Sequence, residues 1–190
     1  SFGLHPLGVG GLDEAINIGS RRELLLDDFL TDRRSHGAQL RLHHPEVRET
    51  AIVFDKPWEG RFAGAFSTVM PLGDRYRLYY RGWHAELSEG NIDVARPLSI
   101  CVAESPDGIN WERLRVNAFD FLGDRSNNVV WMGEGDDCWG THGFAPFIDT
   151  SPDCPPDKRW KAVGGGMAYY WKGLYLMTSA DGVTWQLASN

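Results

Sequence analysis

The sequence is short of several features, and each shortage excludes a class of protein. No run of 18 uncharged apolar residues occurs among the 190 residues, so no membrane-spanning segment and no membrane partner are expected. Lysine and arginine number 19 against 26 aspartates and glutamates, and the net charge of −7 argues against a nucleic-acid partner, which needs clustered basic residues. No segment has the period of an amphipathic helix. The expectation is an all-β protein.

Cysteine is also scarce. The three cysteines form no metal-binding pattern, so no metal site is assigned to them. Cys101 lies inside a predicted strand and is expected to be a small buried apolar residue. Cys138 and Cys154 flank a turn-rich loop and could form a disulfide if the protein is exported. The location is left unknown, with an extracellular or periplasmic one slightly favoured.

Aromatic residues, in contrast, are abundant. The chain has eight tryptophans, six tyrosines and nine phenylalanines, and its apolar content of 42% excludes a disordered chain. Such an aromatic supply is typical of all-β proteins that handle sugars, and the cores of β-propellers use aromatic rings as well.

The most informative pattern is a repeated heptapeptide. Ser-Pro-Asp-Gly-Ile-Asn-Trp at residues 105–111 recurs as Ser-Ala-Asp-Gly-Val-Thr-Trp at residues 179–185, and each copy follows an apolar, strand-like run. In such a segment the aspartate can accept bonds from backbone N–H groups, the glycine takes the positive φ of a tight turn, and the tryptophan buries its ring. The pattern predicts the same hairpin corner twice, which indicates a repeat architecture.

Each corner belongs to a predicted unit of four short strands. The first unit covers about residues 62–115, with a polar insertion at 85–97, and the second covers about 142–188. The strands predicted for the two units are 66–70, 75–83, 98–104 and 111–114, then 143–149, 160–165, 173–178 and 183–187.

Four antiparallel strands per repeat indicate the blade of a β-propeller. Residues 1–22 are expected to form an N-terminal arm, and residues 23–190 the N-terminal portion of a single propeller domain, represented by about two blades. Residues 23–31 and 39–43 are predicted to add a short pair of strands. The alternative is a small sandwich of two sheets.

The segments together resemble a known group of proteins. They are Glu-Leu-Leu-Leu-Asp-Asp-Phe-Leu (23–30), Arg-Tyr-Arg-Leu-Tyr-Tyr-Arg-Gly-Trp (75–83), the repeated corner, and His-Gly-Phe-Ala-Pro-Phe-Ile-Asp (142–149) leading into Arg-Trp-Lys-Ala (159–162). The combination is similar to uncharacterised five-bladed β-propeller proteins related to glycoside hydrolase family 32, in a wider group with families 43, 68 and 130. The resemblance covers roughly residues 22–189.

The resemblance implies a carbohydrate site at the mouth of the central channel, lined by the innermost strand of each blade. It implies a glycoside hydrolase or phosphorylase, and the alternative is a non-catalytic carbohydrate-binding or interaction propeller. Furanosidases of the group use an aspartate on the first blade, an aspartate in an Arg-Asp-Pro segment and a glutamate on the third blade. Here the predicted strand 66–70 has no carboxylate and no Arg-Asp-Pro occurs. None of these three roles is therefore transferred to a residue of this chain.

Two residues are candidates for catalysis. Glycoside cleavage needs carboxyl groups on both sides of the bond, and Asp28, followed by two apolar residues, is the first candidate, with a salt bridge or a cap as its structural alternative. His142 opens the predicted innermost strand of the second unit, where it could bind a hydroxyl, relay a proton or ligate a metal. Its alternative role is a histidine hydrogen-bonded between blades.

Four further residues are candidates for binding the substrate. Arg81 and Trp83 end the second strand of the first unit, so Trp83 could stack on a sugar and Arg81 could contact it. Alternatively, Trp83 is core and Arg81 pairs with a carboxylate such as Glu104. Asp137 and Trp139 belong to the acidic loop before His142. No cofactor is expected, although calcium could bind an aspartate cluster.

Overall fold

The structure is a computed structural model that describes residues 16–24, 29–30, 36–94, 98–132, 140–166 and 173–189, with the backbone alone at 85–88, 91–94 and 189. Contacts divide the chain into one unit of residues 1–48 and another of residues 49–190. No helix of the described residues is long and apolar enough to cross a membrane. The predicted boundary between an arm and a propeller domain, at residues 22 and 23, stays a prediction.

The described residues of the first unit contain no strand. The strand predicted at residues 39–43 is wrong, since these residues are exposed and pair with no other backbone. In the strand predicted at 23–31, Glu23 and Leu24 are not in a strand and Phe29 and Leu30 lie in a turn, and the other residues lie outside those described. A short alternating run predicts a strand only where a partner exists, and an isolated pair of strands is marginal in water.

The second unit contains eleven β-strands and, among its described residues, no α-helix. The strands are β1 (Thr68–Leu72), β2 (Arg75–Gly82), β3 (Ala85–Ser88), β4 (Asn91–Val94), β5 (Ser99–Ser105), β6 (Glu112–Arg113), β7 (Val129–Trp131), β8 (His142–Ile148), β9 (Trp160–Gly165), β10 (Leu174–Ser179) and β11 (Gln186–Ser189). A short 3₁₀ helix, Pro156–Lys158, precedes β9.

The strands form two antiparallel meanders, which confirms the all-β prediction. The first sheet has the order β1-β2-β5-β6, with β7 also paired to β5, and the second has the order β8-β9-β10-β11. The eight strands predicted for the two units are all present, with ends shifted by a few residues. The predicted polar insertion is the hairpin β3–β4, and β7 was not predicted.

Alternation along β2 and β5 builds a core on each face of the first sheet. Tyr79 and Val102 point toward the second sheet, in a core that also contains Phe144, Met177 and Trp185. On the opposite face, Leu78, Tyr80, Cys101, Ala103 and Val129 pack with Trp58 and Phe121. The first sheet is therefore covered on both faces, whereas the period of two in β2 predicts a half-buried strand.

The two predicted corners have the same internal geometry. Asp107 Oδ1 accepts hydrogen bonds from the backbone N–H of Ile109 and of Asn110, both at 2.8 Å, and the Trp111 ring N–H donates to a carbonyl of the corner at 3.0 Å. The corresponding bonds of Asp181 are 2.7 and 2.8 Å, and that of Trp185 is 3.0 Å. The repeated sequence therefore folds into a repeated structure.

The second corner also fastens the two sheets together. The Tyr79 hydroxyl donates to the Gly182 carbonyl at 2.7 Å, and Arg77 Nη1 donates to the Asp181 carbonyl at 2.7 Å. Arg77 is held in turn by Glu104 on β5, with Nε at 2.9 Å and Nη2 at 2.7 Å from Oε1. The first strands of the sheets, β1 and β8, are neighbours. This arrangement brings the end of β2 close to the start of β8.

A buried polar network fixes the loop before β1. The Glu59 carboxylate is fully buried and accepts hydrogen bonds from the Tyr80 hydroxyl at 2.5 Å and from Arg113 Nε at 2.7 Å. Asn128 Nδ2 donates to the same tyrosine oxygen at 2.8 Å. Tyr80 and Arg113 together satisfy the carboxylate, so Glu59 is a structural residue that holds the loop against β2.

Both described cysteines, Cys101 and Cys154, are buried. Cys101 is fully buried, as predicted, and burial raises the pKa of its thiol. Cys154 is buried, with its Sγ 3.7 Å from the Lys158 carbonyl, and whether it pairs with Cys138 stays a prediction because Cys138 lies outside the described residues.

Gly108 and Gly182 provide a matched test of the contact between the sheets. Both have positive φ, 78° and 73°, so alanine at either position should cost about 1 kcal/mol of folding free energy. A Cβ at residue 182 would also lie 2.7 Å from the Tyr79 hydroxyl, whereas at residue 108 the nearest atom is 3.9 Å away. We expect Gly182→Ala to lose about 1–3 kcal/mol more than Gly108→Ala in urea unfolding. Equal losses would contradict the docking of the second corner.

Candidate functional site

A loop places side chains at the edge where β2 ends and β8 begins. Residues 59–66 run beside the end of β2, with the Trp83 N–H bonded to the Glu59 carbonyl at 2.8 Å and the Gly64 N–H bonded to the Arg81 carbonyl at 3.0 Å. Gly60, at a φ of 75°, lies so close to the Trp83 carbonyl that a Cβ would collide with it. The loop is therefore bonded to β2 nearly as a further strand would be.

Arg81 is the central residue of this edge. Its side chain is 3% exposed, and its guanidinium lies 4.3 Å from the ring centroid of Trp83 and 5.0 Å from that of Phe66. Nε and Nη1 are buried and have no hydrogen-bond partner among the described residues. The alternative in which Arg81 pairs with Glu104 is wrong, because Arg77 and Arg75 contact that carboxylate. Burial without a counter-charge lowers the pKa of the guanidinium.

Phe66 covers the open side of this edge. It has a φ of 58°, which is rare for a bulky residue, and 56% of its side chain is exposed. Its ring lies 5.2 Å from the His142 ring, and the Ser67 hydroxyl donates to the Gly64 carbonyl at 2.6 Å in the same turn. The loop thus holds an exposed aromatic ring in a strained backbone conformation, an arrangement found often at functional sites.

His142 is the first residue of β8, as its predicted position requires. A bulge separates it from the regular part of the strand, since His142 pairs with Gly165 and Ala145 pairs with Val163. Gly143 within the bulge has a φ of 66°. Partial burial, and then the positive charge of Arg81, lower the pKa of the imidazole, which is therefore neutral at pH 7. Bulges often redirect a side chain beside a site.

The candidate residues border a narrow recess between the sheets. Its walls are formed by Phe66, Tyr79, Tyr80, Arg81, Ile100, Thr141 and Phe144. The recess has no space for a water molecule, so a ligand would lie at its mouth, against Phe66 and His142, or would displace the Phe66 ring. Trp83 adds a second ring, 5.6 Å from Phe62, and its buried Nε1 has no partner among the described residues.

The structure brings together three of the six predicted site residues. Arg81, Trp83 and His142 lie at the same edge, whereas Asp28, Asp137 and Trp139 lie outside the described residues. Phe66 was not singled out in the sequence, where it stood in a predicted strand. The available signal was the arginine count, because β2 places three arginines on the face of Tyr79, and Arg75 and Arg77 share the single carboxylate of β5, Glu104.

Three carboxylates of the described residues have structural contacts away from this edge. Asp149 is held by the Lys161 ammonium, which lowers the pKa of that carboxyl to about 2, and Asp107 and Asp181 close the two corners. No group of three metal-ligating side chains occurs in the part of the chain that the structure describes. The hypothesis that calcium binds an aspartate cluster stays a prediction.

Comparison with known proteins gives one partial similarity. No protein-family model matches the chain. A stretch of 77 residues, 40% of the chain, is 34% identical to the hemagglutinin-neuraminidase of Sendai virus strain Z, and the values are the same for strain Fushimi. Strain Ohita gives 32% identity over the same length. The chain spans about a tenth of these viral proteins, with 11% of their length matched.

The pKa of His142 tests the proximity of Arg81. We expect Arg81→Met to raise that pKa, because the substitution removes the positive charge that disfavours the imidazolium. A pH titration followed by NMR of the imidazole measures it. Arg75→Met, at the other end of β2, is the matched control and should leave the His142 titration unchanged. If both variants give the wild-type titration, the two side chains are not neighbours.

Proposed function

We propose that the second unit forms two blades of a five-bladed β-propeller of the glycoside hydrolase type, related to the family 32 group. Two four-stranded meanders with the same corner support this proposal. So does the adjacency of the first strands, β1 and β8, because the innermost strands of neighbouring blades lie side by side around a channel. A blade contacts only its neighbours, and here the corner of one sheet docks on the next.

The proposed function is that of a carbohydrate-active enzyme, a glycoside hydrolase or a phosphorylase. The observation that carries it is the grouping of Phe66, Arg81, Trp83 and His142 at the edge shared by the two first strands. Aromatic faces next to hydrogen-bonding groups suit a sugar, whose C–H groups pack on rings while its hydroxyls need polar partners. The name of the viral relatives, which states a neuraminidase, gives further, modest support.

Each residue of the group has a proposed role. The exposed ring of Phe66 packs against the C–H face of the sugar, and the ring of Trp83 packs against the Arg81 guanidinium. Arg81 donates hydrogen bonds from nitrogens that have no other described partner. Neutral His142 donates one bond and accepts another, or takes up a proton. Asp137 and Trp139 are proposed to complete the binding surface.

Hydrolysis requires two carboxyl groups. One protonates the leaving oxygen, and the other activates the water that bonds to the anomeric carbon or attacks that carbon first. Asp28 is proposed as one of the pair. The second is not found among the described residues at this edge, so the site as described can position a sugar but does not show both reacting groups.

Because no second carboxyl group is found among the described residues at this edge, a second candidate function is a propeller that binds carbohydrate without cleaving it. Such a protein would bind the sugar through the same aromatic and arginine contacts, and His142 would only form hydrogen bonds. The two functions differ in one measurable respect: the enzyme turns the bound sugar over, whereas the binding protein returns it unchanged.

Asp28→Ala and His142→Ala test the enzyme in the full-length protein. With a panel of aryl glycosides, we expect Asp28→Ala to lower kcat by about 10²–10⁴-fold, the usual contribution of an acid or base. His142→Ala should raise KM, because the imidazole contacts a hydroxyl.

The controls are Asp153→Ala and His43→Ala, which change exposed residues that have no proposed role. Both should turn over substrate as the wild type does. An unchanged kcat in Asp28→Ala together with an unchanged KM in His142→Ala would remove these two residues from the mechanism. Sugar binding with no turnover by the wild type would support the binding protein instead.

A further inference from the structure

Two arginines on one face of β2 have opposite environments. The Arg77 guanidinium is bonded to the Glu104 carboxylate and to the Asp181 carbonyl. The Arg81 guanidinium, four residues further along β2 and also buried, has no hydrogen bond or ion pair with any described residue. The same side-chain type is thus fully partnered at one position and unpartnered at the other.

An unpaired buried guanidinium is costly. Its charge has lost water, and its N–H groups have lost the hydrogen bonds that water gave them. The rings of Phe66 and Trp83 compensate part of the lost solvation energy of the charge, because a cation is attracted to an aromatic face. They do not accept hydrogen bonds in the plane of the guanidinium. A partner that lies in that plane is what Arg81 lacks.

The unpartnered guanidinium of Arg81 indicates which kind of ligand the site would bind. We propose that Arg81 binds the carboxylate of an acidic sugar, so that the site takes an anionic carbohydrate in preference to the neutral sugar of the same shape. The inference rests on the proposed carbohydrate site and names its substrate class. A carboxylate is planar and matches a guanidinium fork with two parallel hydrogen bonds.

The surroundings of Arg81 are consistent with this ligand. His142, which is neutral at pH 7, donates a hydrogen bond without adding a second permanent charge, and the exposed Phe66 ring lies between the two residues, where the sugar ring would pack. The recess beside Arg81 has no space for a water molecule, so the carboxylate would reach the buried nitrogens from the mouth by displacing the exposed Phe66 ring, and would be shielded from solvent once bound. Shielding strengthens a charge-assisted hydrogen bond.

Binding of matched sugar pairs tests the inference in the full-length protein. The probes are glucuronate with glucose, galacturonate with galactose, and N-acetylneuraminate with its methyl ester, measured by calorimetry at constant ionic strength and pH 7. We expect at least one acid to bind about tenfold or more tightly than its neutral partner, as a charge-assisted pair would give. Arg81→Met should remove that preference, and Arg75→Met should retain it.

A second measurement does not depend on the choice of sugar. Thermal unfolding without ligand should show Arg81→Met to be as stable as the wild type or more stable, because the substitution removes an uncompensated buried charge and keeps the apolar stem. A lower melting temperature for Arg81→Met than for Arg75→Met would mean that the protein itself pairs Arg81, and would overturn the inference.

The outcomes separate this inference from the proposed function. Equal binding of acids and neutral sugars would overturn the inference and leave the carbohydrate site standing. If no sugar of either kind binds, the proposed function fails. Benzoate, a carboxylate without a sugar, then decides the role of Arg81: stabilisation of the wild type but not of Arg81→Met supports a carboxylate site, and no stabilisation of either overturns it.

Discussion

The docking of one hairpin corner on the neighbouring sheet determines the rest of the structure. The Tyr79 hydroxyl and the Arg77 guanidinium of β2 each donate to a backbone carbonyl of the second corner, and the Tyr79 ring packs in the core between the sheets, 6.2 Å from the Trp185 ring. This contact fixes the two sheets face to face. It therefore sets how close the end of β2 comes to the start of β8, and with it the distance between Arg81 and His142.

Strand β2 stabilises the contact between the sheets through Arg77 and contributes Arg81 to the proposed site. The Arg77 guanidinium and the Tyr79 hydroxyl both have hydrogen-bond partners, as buried networks need in order to stabilise a fold. Near Arg81 that rule is broken, by a guanidinium that has no counter-charge among the described residues and by a phenylalanine with positive φ. Such local inconsistencies are expected where a protein binds something, since the partner is then not part of the chain.

Much of the fold could be predicted from the sequence because its signals are local. The corners are specified by an aspartate, a glycine and a tryptophan within seven residues, and the strands of the two meanders by an alternation of period two. The strand at 39–43 was wrong because alternation does not reveal whether a partner strand exists, and β7 was missed because three residues, Val129–Trp131, carry too little pattern. At the site, Arg81 and His142 were identified by their positions on strands. Phe66 and the pairing of Glu104 with Arg77 depend on contacts between distant segments, which a single sequence does not encode locally.

The contact between the second corner and β2 can be measured directly. Tyr79→Phe removes only the hydroxyl that meets the Gly182 carbonyl, and Tyr76→Phe makes the same change at a partly exposed position of the same strand. The structure predicts that Tyr79→Phe lowers the free energy of unfolding by about 1–3 kcal/mol, because a buried acceptor loses its donor, and that Tyr76→Phe changes it by less than about 0.5 kcal/mol. Equal effects of the two substitutions would show that the corner does not dock on this sheet, and would contradict the arrangement of the site.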